Sequence, residues 1–441
     1  MKMTTRSAVR ALIAVALSAT VLAGCNLDKI LEVEPANLIP AVDLERPVNA
    51  QLLVSGAISD FDCAFNSFVV VGGLIGEELE DALQTAARWP YDQRNVTADQ
   101  TFYSVNACQS LGIYSPLQSA RVSANNVGRL LSGWSDAEMP SGFDRTLNIA
   151  RMQVYEAWSQ LFLAEAFCET VFSTIEGEVV NHGGRITRAQ ALDSAVTSFT
   201  EALTILTGLT GASADSLRMF ATAGRARAYL DQRDLANART DAAAVIAGTP
   251  AGWQWVVTAS NANTRRQNRV FQENGINAQP NSTVGLPYRT MNDPRVPVTN
   301  LGTSSSGTNV PRWRQNKYTA VTSPIPVVTR LEMELIVAEA DRTTNPTGVV
   351  NTLNTFRAAG NQGTYTGATD PASLLAEIID QRRRALWLTG THFPDIIRYD
   401  LQVAPAQGAA TPWGQQFGPD QGSEMCLPLP NVEKDNNPNL L

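Results

Sequence analysis

Apolar positions along this chain recur mostly at helical spacing. Over residues 145–172, Val154, Trp158, Leu161 and Phe162 fall at i, i+4, i+7 and i+8, one face of a long helix. That spacing assigns Trp158 to a core rather than to a ligand platform. Residues 115–131 read as another helix, and similar patterning starts near Val48 and runs through Ala57. Three later segments share a shorter motif: Ala195/Phe199/Ala202, Ala238/Ala242/Val245 and Val349/Leu353/Phe356 each place apolar residues at i, i+4 and i+7. Helices also read over 331–340 and 373–388.

The middle segment carries more than periodicity. Ala226, Tyr229, Leu235, Ala238 and Pro250 are spaced like the marker positions of a tetratricopeptide repeat. Small residues there let two antiparallel helices approach closely, and the proline halts the second. Asp231-Gln232-Arg233-Asp234 supplies the turn between them. The pattern predicts a mostly α fold, a tetratricopeptide-like helical-hairpin scaffold with repeats over about 145–250 and 331–360. A loop-rich insertion over about 252–326 interrupts it, rich in Asn, Thr, Ser, Gly and Pro, with aromatics at Trp253, Trp255, Phe271, Tyr288, Trp313 and Tyr318. A C-terminal segment, 373–441, ends polar and Pro-rich. Residues 61–83 mix an apolar run with Gly72, Gly73 and Gly76, and their periodicity assigns no element. The run Gly76-Glu77-Glu78-Leu79-Glu80-Asp81 is dense in carboxylates; general acid–base work is one reading, and a solvated helix start is the favoured one.

At the N-terminus a cationic start (Lys2, Arg6, Arg10) precedes an uncharged run from Ala11 to Ala23, shorter than the ~20 residues of a membrane span. Leu22-Ala23-Gly24-Cys25 looks like a bacterial lipobox, which predicts removal of a signal peptide over 1–24, acylation (palmitate-type chains) at Cys25, and a tether over 25–47 leading to a body over 48–441. Beyond the leader the longest apolar run, Phe68 to Ile75, is too short for a transmembrane helix. The whole chain has 34 basic and 42 acidic residues, a net charge of −8, and loses three positive charges with its leader. That balance argues against nucleic acid, whose phosphates demand a basic footprint, and against adhesion to anionic lipid by charge alone.

The remaining cysteines, Cys63, Cys108, Cys168 and Cys426, are even in number, so an exported chain is expected to hold two disulfides in one of three connectivities. The pairing Cys63–Cys108 with Cys168–Cys426 is the favoured one. No CxxC or metal-like spacing occurs and the chain has two histidines, His182 and His392, so neither metal nor cofactor is expected.

Several blocks resemble, in order, the SusD/RagB family of outer-membrane nutrient-binding lipoproteins. They are Leu31-Glu32-Val33-Glu34-Pro35 after the lipobox, Tyr155 through Phe167, Ala223 to Ile246, Asn292-Asp293-Pro294-Arg295, and Ile325-Pro326-Val327-Val328-Thr329-Arg330 running into Glu334 to Ala340. Residues 350–357 and the tail from Leu427-Pro428-Leu429-Pro430 to Leu440 continue the likeness. The chain departs from the family at Gln381, Ala385 and Thr389, where glutamates are usual, and at His392 and Pro394. Those changes are expected to weaken ion pairing there, while Phe393, Asp395 and Arg398 keep the rest of the pattern.

The resemblance implies a cell-surface, outer-membrane lipoprotein that binds oligosaccharide or peptide and hands it to a SusC-like TonB-dependent transporter, without catalysis. Sugars stack on indole and phenol rings framed by polar side chains, and Trp89, Tyr91, Tyr288 and Trp313 are the candidate ligand-binding residues, each beside polar residues or proline. Two other classes fit parts of the pattern: a lipid-anchored glycoside hydrolase, or a tetratricopeptide-repeat scaffold for membrane-protein assembly. The hydrolase lacks a GxSxG elbow, an HExxH pair or a Gly-rich phosphate loop in its support.

Overall fold

The computed structural model describes residues 41–440 other than 84, 109–110, 178, 276–280, 304–309, 411–419 and 424. Cys25 and the leader lie outside the described residues. Residues up to Arg46 form a unit of their own, in which one helical turn, Ala41–Leu44, is described. The second unit, Pro47–Leu441, carries the scaffold.

Its first helix, α1 (Ala50–Ile75), is longer than its patterning near Val48–Ala57 suggested. From Phe61 onward every residue is buried, so no polar face exists to reveal a helical period. By length and composition α1 passes for a membrane span, against the expectation that none exists; yet 83% of its apolar window is buried inside the protein, as in a core helix. Phe61, Phe65 and Phe68 stack against Phe162, with ring centroids 4.6 to 5.9 Å apart.

Around α1 the chain forms a sequential array: α2 (Tyr114–Gly133), α3 (Arg145–Ala166), α4 (Arg188–Thr207), α5 (Ala212–Asp231), α6 (Leu235–Gly248), α7 (Arg330–Asp341), α8 (Pro346–Ala359) and α9 (Pro371–Ala385), each packing on the next. Caps define the ends: Asp144, Thr187, Asp234, Thr329 and Asp370 each accept a backbone N–H of the first turn. The α5–α6 hairpin is the tetratricopeptide-like pair. Ala226 and Ala238 are buried at its seam, and Arg225 holds Asp241 bidentately at 2.7 and 2.9 Å. Gly224 sits directly against the rings of Phe199 and Trp158, leaving no room for a Cβ.

The insertion between α6 and α7 is not wholly irregular. It holds short antiparallel pairs: β2 (Gln254–Val257) with β6 (Ile325–Thr329), and β4 (Val298–Thr303) with β5 (Pro311–Gln315), while β3 (Ser282–Val284) pairs with β1 (Leu79–Asp81) at the end of α1. Strands of three to six residues leave too few positions for a period of two to show in sequence. Two disulfides close the unit, Cys63–Cys108 and Cys168–Cys426, with Cα separations of 5.2 and 5.1 Å. The second pins the tail beside α3, where Leu427 donates to the Ala166 carbonyl at 2.8 Å and accepts from Cys168 at 3.0 Å.

A further helix, α10 (His392–Tyr399), completes a buried ionic cluster against α3, α5, α7 and α9. Arg227 of α5 holds Glu332 of α7 bidentately at 2.6 and 2.7 Å and lies 5.0 Å from the Trp158 ring. Arg382 holds Asp395 at 2.8 and 3.0 Å, and Arg398 bridges Asp395 at 2.5 Å to Asp231 at 3.0 Å. Pairing thus persists at the segment where it was expected to weaken. Burial raises the Asp395 carboxyl, but Arg382 and Arg398 more than offset this and hold it below its usual range. Glu165 of α3 is fully buried, and burial followed by the neighbouring charge of Asp231 pushes it well above the carboxylate range. Both effects favour its neutral form in the native state.

Two outcomes follow from this packing. Gly224→Ala should cost about 1–3 kcal/mol in urea denaturation, because the added methyl overpacks the Phe199–Trp158 contact. Glu165 keeps a proton that the unfolded chain releases above its ordinary pKa, so it makes the native state less stable as pH rises, at up to about 1.4 kcal/mol per pH unit. Glu165→Gln should therefore be more stable than wild type at pH 8, with the difference shrinking as pH falls and vanishing near pH 3, below the ordinary glutamate pKa of about 4.3.

Candidate functional site: the loop-rich face

The end of α1 begins this face. Gly76 donates to the Gly72 carbonyl and Glu77 turns the chain with φ 59°. The carboxylates that follow are buried, which corrects their reading as a solvated helix start. Glu78 accepts the Leu388 N–H at 2.7 Å, and burial raises its pKa. Glu80 pairs with Arg289 and accepts the Leu286 N–H at 2.6 Å. Asp81 accepts the N–H groups of Leu83 and Thr85 at 2.9 and 3.1 Å. These carboxylates fasten the insertion and the C-terminal segment to α1. The partners of Glu78 and Glu80 lie some 200 to 300 residues away in sequence, so charge density alone could not show their burial.

Beyond Asp81 the chain reaches a short helix, Trp89–Asp92, with Pro90 in its first turn. Arg88 donates to both oxygens of Glu273 at 3.2 and 3.3 Å, and Glu273, itself fully buried, also holds Arg269 at 2.8 Å. The next residue, Asn274, donates to the Trp313 carbonyl at 3.0 Å and accepts the Gln315 N–H at 2.6 Å. One short helix, Arg269–Asn274, thus ties the segment bearing Trp89 to the strand β5 bearing Trp313. Sequence reasoning missed Glu273 and Asn274. The one local signal was the Arg269/Glu273 spacing at i, i+4.

Of the four aromatic candidates, two are corrected to framework. Tyr91 is fully buried, donates to the Leu111 carbonyl at 2.7 Å and meets Phe102 edge-on at 4.9 Å. Tyr288 is also fully buried, 6.0 Å from the Trp387 ring and 6.1 Å from His392, with the Arg383 guanidinium 4.7 Å from its centroid. Flanking proline and polar residues did not expose them, because their loops fold back onto α1 and α10. Trp313 is half-buried against the main core, in register with Asn300 on β4. Trp89 is half-buried and is not among the side chains that pack on that core.

The same face encloses charge. Lys317 donates to the Trp387 carbonyl, and burial pushes its ammonium down to about 8 although Glu78 opposes this. His392 is buried with Nε2 3.6 Å from Glu77. These groups are buried, whereas the indoles of Trp89 and Trp313 are only half-buried, with Arg88 preceding the first and Asn300 paired opposite the second. Flat apolar rings with amide and guanidinium donors nearby suit polyhydroxylated ligands.

No family model matches this sequence, and no curated protein resembles it at the level of sequence. Solved structures do. A SusD-like carbohydrate binding protein from Bacteroides vulgatus superposes with a TM-score of 0.67 at 15% identity, covering 89% of this chain and 96% of that one. A SusD superfamily protein from the same organism gives 0.66 at 13% identity, with 89% and 97% covered. A SusD-like carbohydrate binding protein from Bacteroides fragilis gives 0.60 at 16% identity, with 89% and 98% covered. With nearly the full length of each chain superposed on a helical array that carries one loop-rich insertion, this protein has the SusD-like fold.

Proposed function

We propose that this protein is a lipid-anchored, cell-surface oligosaccharide-binding protein of the outer membrane that delivers its ligand to a SusC-like TonB-dependent transporter. The observation that carries the reading is the near full-length likeness to proteins described as SusD-like and carbohydrate binding. The Leu22-Ala23-Gly24-Cys25 motif supports acylation at Cys25, and two disulfides support an oxidising location. Trp89 and Trp313 are the proposed stacking residues on the loop-rich face, with Arg88 next to the first and Asn300 opposite the second. The rigid helical array leaves that face to shape the ligand site, as loops on a fixed scaffold do.

A glycan array on the mature protein identifies the oligosaccharide, and titration calorimetry then measures it. Trp89→Ala and Trp313→Ala should each weaken binding by up to about ten-fold, the scale of one aromatic stacking contact, at unchanged melting temperature for Trp89. Unchanged affinity in both variants would remove this face as the site, and binding of peptides alone would change the ligand class. Cys25→Ala should yield a folded, ligand-competent protein found in the soluble fraction, with uptake lost; full uptake by that variant would refute delivery from an anchored lid.

A further inference from the structure

A second site lies away from the loop-rich face. A cavity of about 500 Å³ opens where the α5–α6 turn meets α7, α9 and the end of α10. That volume falls within the range of small-molecule sites. Four aliphatic side chains form its walls: Leu230 and Leu235 from the hairpin, and Leu375 and Ile379 from α9. Three of them, Leu235, Leu375 and Ile379, are only half-buried, so the cavity presents apolar surface to solvent.

The polar part of the lining is uneven. Arg398 is committed to Asp231 and Asp395, and Glu339 accepts the Tyr399 hydroxyl. Arg233 and Arg342 differ. Each donates to a backbone carbonyl, Arg233 to that of Arg398 at 2.7 Å and Arg342 to that of Glu339, and among the described residues neither forms an ion pair. Arg233 also holds φ 63°, and Asp400 across the lining holds φ 53°. Glycine adopts this left-handed conformation without penalty, whereas an arginine there costs on the order of 1 kcal/mol. A turn that served only to join two helices would be better made with glycine or asparagine. Arg233 thus ties the turn to α10 through the Arg398 carbonyl while its charge has no carboxylate partner among the described residues.

We propose that this cavity binds a carboxylate carried on an aliphatic body. Arg233 and Arg342 receive the carboxylate by charge-assisted hydrogen bonds, and Leu230, Leu235, Leu375 and Ile379 enclose the chain. The exposed Asp400 disfavours a second anionic group, so monocarboxylates are preferred over dicarboxylates. Two sources share this chemistry: a free medium-chain carboxylate, or the C-terminal carboxylate of a peptide ending in an aliphatic residue.

The test uses the mature protein with decanoate, decanol, decanedioate and N-acetyl-Ala-Leu as probes, followed by titration calorimetry at neutral pH. Decanoate or the peptide should bind at one site per chain, at least ten-fold more tightly than decanol. Arg233→Ala and Arg342→Ala should each weaken it about ten-fold or more, the scale of one charge-assisted hydrogen bond. Leu375→Trp should block the cavity, and Trp89→Ala should leave this binding unchanged. Binding by decanoate alone or by the peptide alone, if sensitive to both arginines, supports the site and identifies the source. The proposal is overturned if neither probe binds, if decanol binds as well as decanoate, or if the arginine variants bind normally. The arginine variants keep the test decisive should Leu375→Trp not fold, since both side chains lie at the cavity rim.

Discussion

The constraint on which this structure depends is charge closure in a place water does not reach. Arg227, Arg382 and Arg398 face Glu332, Asp231 and Asp395 where α3, α5, α7, α9 and α10 meet. Three guanidiniums balance three carboxylates, and burial followed by the charge of Asp231 raises the pKa of Glu165, which favours its neutral form in this set. Such a cluster is weak evidence of net stability, since the desolvation penalty consumes most of the Coulombic gain. Its effect is on arrangement. Removing any one partner strands a buried charge at a cost of about 3–5 kcal/mol, so helices far apart in sequence meet in one geometry and no other.

That geometry explains how a long insertion is tolerated. Arg227 on α5 reaches Glu332 on α7, and also the Val327 carbonyl on β6, so the hairpin before the insertion is locked directly to the helix after it. Arg330 adds the carbonyls of Ile246 and Thr249 at the end of α6. The insertion leaves and returns beside these contacts, and it adds Val257, Val270, Val284, Tyr288 and Ile325 to the main core. Its own order comes from elsewhere: Glu80, Asp81, Glu273 and Asn274 supply acceptors and donors to backbone that short strands leave unpaired.

How much was legible in the sequence follows from the range of each interaction. Trp158 and the Ala226–Ala238 seam could be placed from spacing because a helix carries its neighbours at i+3 and i+4. The SusD-like organisation was likewise visible, since it rests on ordered blocks. Burial of Glu77 through Asp81 was not, because Arg289, Leu286 and Leu388 complete those carboxylates from distant segments. Tyr91 and Tyr288 failed for the same reason: a proline neighbour reports a turn, not which side of the turn meets solvent. The second half of α1 hid because a helix buried all round has no period to read. Even cysteine count predicted two bridges, while the pairing depended on α1 and α3 bringing Cys63 and Cys168 to Cys108 and Cys426.

The two proposed ligand regions differ in how the chain builds them. On the loop-rich face, polar side chains are spent on the backbone that carries Trp89 and Trp313, so the exposed chemistry is ring and amide, suited to broad neutral ligands. At the α5–α6 turn the cationic groups are left over after the ionic cluster is satisfied, and they stand on helices whose positions that cluster dictates. Arg398 joins the two: its side chain completes the buried network while its carbonyl holds Arg233 at the cavity rim. The charge balance that orders the scaffold therefore also sets the position of a guanidinium it does not neutralise.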